Sequence, residues 1–97
     1  MIVVEQHGSD ISINGHAGYA EAGKDIVCAA VSTLAQTLIA SIEELTTDTI
    51  LYDIQPGTVN IKLGNLSEQS KLLVNSFFVG IQLIADNYAG FVRLSKH

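Results

Sequence analysis

The chain has 97 residues, which is enough for one domain with a core of modest depth. Hydrophobic residues make up 47% of it and charged residues 15%, an apolar balance for a small monomer that favours self-association as a homodimer. The formal net charge of −5, without any basic cluster, disfavours direct binding of nucleic acid and favours a basic partner.

The cysteine content and the apolar runs indicate where in the cell the chain should reside. Cys28 is the only cysteine, so no internal disulfide can form, and the opening MIVVEQ lacks the basic region of a signal peptide. The longest uncharged run, residues 26–42, is at the short limit for a membrane span and contains hydroxyl and amide side chains. We therefore expect a cytoplasmic protein without membrane attachment, in which this run is a buried helix.

The N-terminal segment predicts a β-hairpin. Residues 2–7 are a short apolar strand, and residues 7–10 have the composition of a turn. Ile11 and Ile13 then alternate with polar residues, as in a half-buried strand. The second strand should therefore deliver His16 at its end.

A flexible loop is predicted to follow. Residues 17–24 are small or conformationally permissive, and Gly15, Gly18 and Gly23 lie beside or within this segment. Three glycines around a histidine favour a segment that changes shape cheaply. We interpret this loop as a lid over substrate.

The first helix is predicted to begin after Asp25, whose carboxylate suits the N-cap. Cys28 then falls in the first turn, at the edge of the apolar stripe rather than in its middle, and Ser32 follows one turn later on the same flank. The stripe recurs at spacings of three and four over Val27, Val31, Leu34, Leu38, Ile42 and Leu45.

The second half repeats this order. A β-hairpin is predicted over residues 49–63 with Pro56 and Gly57 at its turn, followed by a helix capped by Asn65 or Ser67.

A final strand is predicted over residues 91–94, and no linker or low-complexity tract divides the chain. The order β-β-α-β-β-α-β predicts an α+β fold in which two helices pack on an antiparallel-rich sheet. Residues 1–97 therefore form a single domain.

Cys28 supports two interpretations. A lone cysteine between apolar neighbours is commonly a small buried hydrophobic residue. The first turn of a helix, however, stabilises an anion through unpaired amides and the helix dipole, which favours a nucleophilic thiolate. The amides at the start of this helix would then also be candidates to stabilise a developing oxyanion.

His16 supports a catalytic interpretation only if it lies beside Cys28, which the intervening loop permits but does not force. Asp25 is explained most simply as a cap, with orientation of His16 as the alternative, and Ser32 could bond the helix backbone or support the histidine or substrate. A metal site built from His16, Cys28, His7 and His97 lacks any ligand pair at motif spacing, so we expect no metal and no cofactor.

The segment GHAGYAEAGKDIVCAAVS, residues 15–32, resembles the Prp family, small bacterial cysteine proteases that process a ribosomal protein. The motif GHA, a glycine-containing loop and a DIVCAAVS-like block form that family's signature. The resemblance implies that Cys28 is the nucleophile and His16 the base, with supporting roles for Asp25 and Ser32.

The same resemblance implies a substrate and an assembly. Family members remove an N-terminal extension, characteristically with paired phenylalanines, from a protein of the large ribosomal subunit. They are implied to be homodimers with a loop that rearranges around substrate. The competing hypothesis is a non-enzymatic dimeric module that binds a ribosomal protein or an assembly factor, with Cys28 as a structural residue.

Overall fold

A computed structural model describes residues 1–96 and has the predicted order of elements, β-β-α-β-β-α-β. His97, considered above as a metal ligand, lies outside the described residues. The elements are β1 (Ile2–His7), β2 (Asp10–Asn14), α1 (Ile26–Leu45), β3 (Leu51–Gln55), β4 (Thr58–Lys62), α2 (Glu68–Asn87) and β5 (Val92–Lys96).

The strands form one mixed sheet in the order β3-β4-β2-β1-β5. Three of its four pairings are antiparallel and only β1 with β5 is parallel, which confirms the antiparallel-rich sheet. In this register Val4 lies opposite Ile13, and Ile11 lies opposite Ile61, so the buried residues share one face. The other face is mostly polar, although Val3 and the exposed Leu51 also lie on it.

Both helices cover the apolar face of the sheet. The buried residues of α1 follow the predicted stripe but extend it toward the flank that carries Ala35 and Ile39. Leu45, predicted to belong to the stripe, is instead exposed at the end of α1. By length and composition α1 could also cross a membrane, but six of its residues lie in the core that it forms with the sheet and α2.

A polar cluster joins the end of α1 to the start of α2. Ser67 caps α2, which decides between the two predicted caps, and donates through both its amide and its hydroxyl to Asp48 Oδ2 at 2.9 and 2.6 Å. The fully buried Ser70 hydroxyl donates to the same oxygen, and its own oxygen lies 3.3 Å from Thr46 Oγ1. These bonds compensate the burial of polar groups and hold the two helices together at this end.

Candidate active site

Cys28 lies in the first turn of α1, as the sequence predicts, and is half-buried beside the core. Its Sγ accepts a hydrogen bond from the backbone amide of Ala17 at 3.3 Å. Ala17 is only 4% exposed, so this part of the loop packs firmly against the sulfur and the core. The amide that faces the thiol therefore comes from the segment next to His16 and not from the helix.

His16 follows β2 by two residues, and its side chain is exposed. Its ring lies against the turn between β3 and β4, because a Cβ added to Gly57 would stand 2.8 Å from His16 Nε2. Within residues 1–96, no hydrogen bond joins the His16 ring to Cys28. The two side chains nevertheless line the same depressions in the surface.

The first depression is an apolar groove of about 230 Å³ between α1 and the β3–β4 hairpin. His16 and Cys28 stand among its lining residues, and Ser32 lies one turn further along α1. The apolar wall is formed by Ile2, Ile13, Val31, Ala35, Ile54 and Val59.

The second depression is a wider cleft of about 720 Å³ between the loop and the first turns of α1. It is lined by loop residues from Gly18 to Lys24 and again by His16, Cys28 and Ser32. The three side chains therefore lie where the groove and the cleft meet. An extended peptide that occupied both would pass over the sulfur.

Asp25 caps α1, as predicted, and also holds the loop. Its Oδ1 accepts from the amides of Val27 and Cys28 at 3.0 and 2.9 Å, and its Oδ2 accepts from those of Tyr19 and Ala20 at 2.9 and 3.2 Å. The Cys28 amide is the largest cause that lowers the pKa of the Asp25 carboxyl, and the other three amides add to it. No bond links Asp25 to His16 in the described chain, so the alternative role of orienting the histidine has no support.

These bonds correct one expectation. The amides of Val27 and Cys28 are already engaged by Asp25, so they do not point freely at a developing oxyanion. The reason is that the N-cap uses the same amides that an anion at the helix terminus would use. Among residues 1–96, only the Ala17 amide donates to the sulfur.

Ser32 is exposed and lines both depressions beside Cys28. Its hydroxyl makes no hydrogen bond to the helix backbone or to any other group of residues 1–96. Ser32 therefore borders the space that a peptide would occupy, and its supporting role stays a prediction.

Gly15 is required by its surroundings. Its φ is +101°, and an added Cβ would overlap the carbonyl oxygen of Met1. Gly18 and Gly23 also have positive φ but open space around them. Glycine is therefore favoured by a close contact at Gly15 and by positive φ at Gly18 and Gly23, and the substrate-loop role of the three stays a prediction.

Sequence reasoning missed Tyr19. Its ring packs edge-on against Tyr88 and Phe91, with centroids 5.5 and 5.2 Å away, and so holds the middle of the loop to the end of α2 and the start of β5. A tyrosine among small residues was the available signal, but its partners are about 70 positions away. The predicted lid is thus held at Ala17, Tyr19 and Asp25.

Comparison with known proteins shows the family of the chain. The family model of the cysteine protease Prp matches residues 1–93. The chain belongs to the Prp family of cysteine proteases. It is 30% identical to the ribosomal processing cysteine protease Prp of Staphylococcus aureus strain Mu50, over 97% of this chain and 93% of that protein.

Solved structures share the fold of this Prp-family chain. The crystal structure of S. aureus Prp with a covalently linked product peptide has a TM-score of 0.93 at 25% identity, with both chains fully covered. The crystal structure of SMU.848 from Streptococcus mutans has a TM-score of 0.73 at 31% identity, covering 99% of this chain and 93% of that one. The agreement extends over the whole α+β domain.

Substitutions at Asp25 should release the loop in two steps. Asp25→Asn keeps one accepting oxygen, so we expect one pair of amides, in the loop or in the helix, to lose roughly tenfold in hydrogen-exchange protection, whereas Asp25→Ala should expose both pairs. In the wild type the bonds persist above pH 3.8, the ordinary pKa, and are lost only as the pH falls through the lower folded-state pKa. Exchange of the Tyr19, Ala20, Val27 and Cys28 amides measures this. Unchanged protection in Asp25→Ala would contradict it, and Asp53→Ala is the control.

Proposed function

We propose that the chain is a cysteine endopeptidase that removes the N-terminal extension of a large-subunit ribosomal protein during ribosome assembly. The observation that carries the proposal is the position of Cys28 and His16, where the groove and the cleft meet. A scissile bond placed there would have protein surface on both sides. S. aureus Prp, a ribosomal processing protease, has been crystallised with product and substrate peptides, which supports this substrate class.

The proposed reaction proceeds through an acyl-enzyme. His16 accepts the thiol proton as Cys28 Sγ attacks the scissile carbonyl carbon, and it then donates that proton to the leaving amine as the C–N bond breaks. Water next attacks the thioester, again with His16 as the base, and the carboxylate product and the free thiol are released. Catalytic hydrogen bonds often tighten only in the complex with substrate, so we place the His16 to Cys28 proton transfer there.

The Ala17 amide is the proposed oxyanion donor. It stands 3.3 Å from Sγ, and the carbonyl oxygen of an attacked peptide bond must come close to the same position. As the C–S bond forms, negative charge moves from sulfur to oxygen. A fixed N–H group beside the sulfur can stabilise the charge on the oxygen without reorganisation.

The proposed substrate fits the groove and the charge of the chain. The groove wall is apolar and suits the aromatic side chains of an extension with paired phenylalanines. The net charge of −5 attracts a basic ribosomal protein over long range. Ribosomes assemble in the cytoplasm, and a chain that acts there would have its single thiol kept reduced by that compartment.

Removal of either reacting group should stop cleavage. We expect Cys28→Ala to abolish hydrolysis of a peptide that carries paired phenylalanines, and His16→Ala to lower kcat/KM at least about 100-fold because it removes the general base. His7→Ala is the matched control, since His7 is an exposed histidine at the end of β1, outside both depressions. Mass spectrometry of the products measures cleavage.

The same assay decides against the non-enzymatic alternative. A wild-type chain that binds the peptide without cutting it would favour the dimeric binding module. Folded Cys28→Ala or His16→Ala variants that cut as fast as the wild type would also remove the proposed mechanism.

The apolar groove should determine recognition of the extension. Ile54 and Leu51 lie on the same strand and are 45% and 68% exposed, but of the two only Ile54 lines the groove. We expect Ile54→Asp to lower kcat/KM roughly tenfold or more, because the loss of an apolar pocket contact costs about 1–3 kcal/mol. Leu51→Asp should leave it nearly unchanged. Equal effects of the two substitutions would place the peptide elsewhere.

We also propose that the chain is a homodimer that pairs through the outward faces of its helices. An apolar depression of about 520 Å³ lies between α1 and α2, and all eight of its lining residues are uncharged. Ile26 and Leu83 at this surface are 55% and 58% exposed. Two copies that each carry −5 need a contact surface without like charges, and this surface provides one. The lining residues are Ile26, Ala29, Ala30, Thr33, Leu34, Gly80, Leu83 and Ile84.

A charge placed in this depression should separate the copies. We expect light scattering to give twice the 10.4 kDa of one chain for the wild type, and the monomer mass for Leu83→Asp. Leu45→Asp, at an exposed leucine outside the depression, is the control and should stay dimeric. A monomeric wild type would refute the dimer, and a dimeric Leu83→Asp would place its interface elsewhere.

A further inference from the structure

The turn between β3 and β4 contacts the imidazole of His16. At Gly57 an added Cβ would stand 2.8 Å from Nε2, 3.3 Å from Cε1 and 3.6 Å from Cδ2. Three ring atoms therefore lie over the glycine, in the space that any side chain would have to enter. In proteins a Cβ atom essentially never approaches another residue's heavy atom as closely as 2.8 Å.

The backbone holds this turn and the histidine segment together. Asn14 pairs with Thr58 in the β2–β4 register, and the amide of Gly15 donates to the carbonyl of Gly57 at 2.9 Å. The backbone at residues 15–16 is thus tied to the backbone at residue 57. Because both sides are held, a Cβ at Gly57 cannot be relieved by separating the two segments, and the ring would have to move.

Within the described residues, packing against the turn at Gly57 is what restrains the His16 ring. His16 is exposed, and within residues 1–96 no hydrogen bond to its side chain holds its orientation. A base must stand within hydrogen-bonding reach of the proton that it accepts, and an error of about 1 Å can cost roughly 100-fold in rate. A close contact that limits where the ring can stand therefore matters for catalysis.

We propose that Gly57 is a positioning residue, whose missing side chain lets the His16 imidazole rest on the turn and face the groove that contains Cys28. The β3–β4 turn then supports the imidazole of the proposed general base and also forms a wall of the groove. The inference rests on the proposed function, in which His16 is the base, but the position of the ring can be measured without any cleavage.

Gly64 provides a matched control for substitution at Gly57. The two glycines have φ of +75° and +62°, so alanine is strained at both, but an added Cβ at Gly64 meets nothing within 4 Å. We expect Gly57→Ala to lower kcat roughly tenfold or more. Gly64→Ala should stay within about twofold of the wild type, because it brings the same backbone strain without the contact.

A second variant separates the contact from the backbone strain. Asparagine tolerates positive φ better than alanine but carries the same Cβ. If the contact with His16 causes the loss, Gly57→Asn should lose kcat as Gly57→Ala does. If Gly57→Asn restores the wild-type rate, backbone strain is the cause and the proposal is overturned. A rise in KM at unchanged kcat would overturn it too, because Gly57 would then act only as a wall of the groove.

The ring itself gives the independent measurement. In the wild type, nuclear Overhauser effects should connect the His16 ring protons to the Gly57 α-protons, and the ring resonances should move in both Gly57 variants but not in Gly64→Ala. Absence of these contacts, or unchanged ring resonances in a folded Gly57→Asn, overturns the proposal. If the wild type cleaves no peptide, the proposed function fails, and the ring measurements still decide whether Gly57 positions His16.

Discussion

The antiparallel pairing of β2 with β4 is the constraint on which the site depends. It joins two hairpins that are distant in the chain and sets Asn14 opposite Thr58. The residues that follow β2 consequently meet the turn that precedes β4, and His16 comes to lie on Gly57. A shift of one residue would turn Ile11 and Ile13 away from the core, so burial of the apolar face also fixes where the histidine stands.

The position of Cys28, the proposed nucleophile, is fixed by a different set of forces. Burial of α1 against the sheet sets the orientation of the helix, and Asp25 determines where the helix begins, so Cys28 stands at the edge of the core. The same carboxylate binds the loop amides of Tyr19 and Ala20. The Asp25 side chain therefore connects α1 with the segment predicted to cover substrate. In doing so it occupies the amides of Val27 and Cys28, which would otherwise be available to an anion.

The fold was largely predictable, because its signals are local. Alternation in β2 and β4, the cap at Asp25 and the stripe of α1 each depend on neighbours a few positions away. The placement of Cys28 in the first turn followed from the same signals. The order of the strands and the parallel partner of β1 could not be predicted, since they depend on packing between elements far apart in the chain.

By itself the sequence determined the element order, the placement of Cys28 and His16 on either side of a glycine-containing loop, and, through the motif of residues 15–32, the protease family. Only the tertiary structure decided which amide faces the sulfur, which rings hold the loop and what supports the histidine. The physical reason is that these contacts join residues whose separation along the chain carries no periodic or capping signal. From the sequence, Gly57 is predicted only to be a turn residue. The pairing of strands in the sheet is what places it against His16.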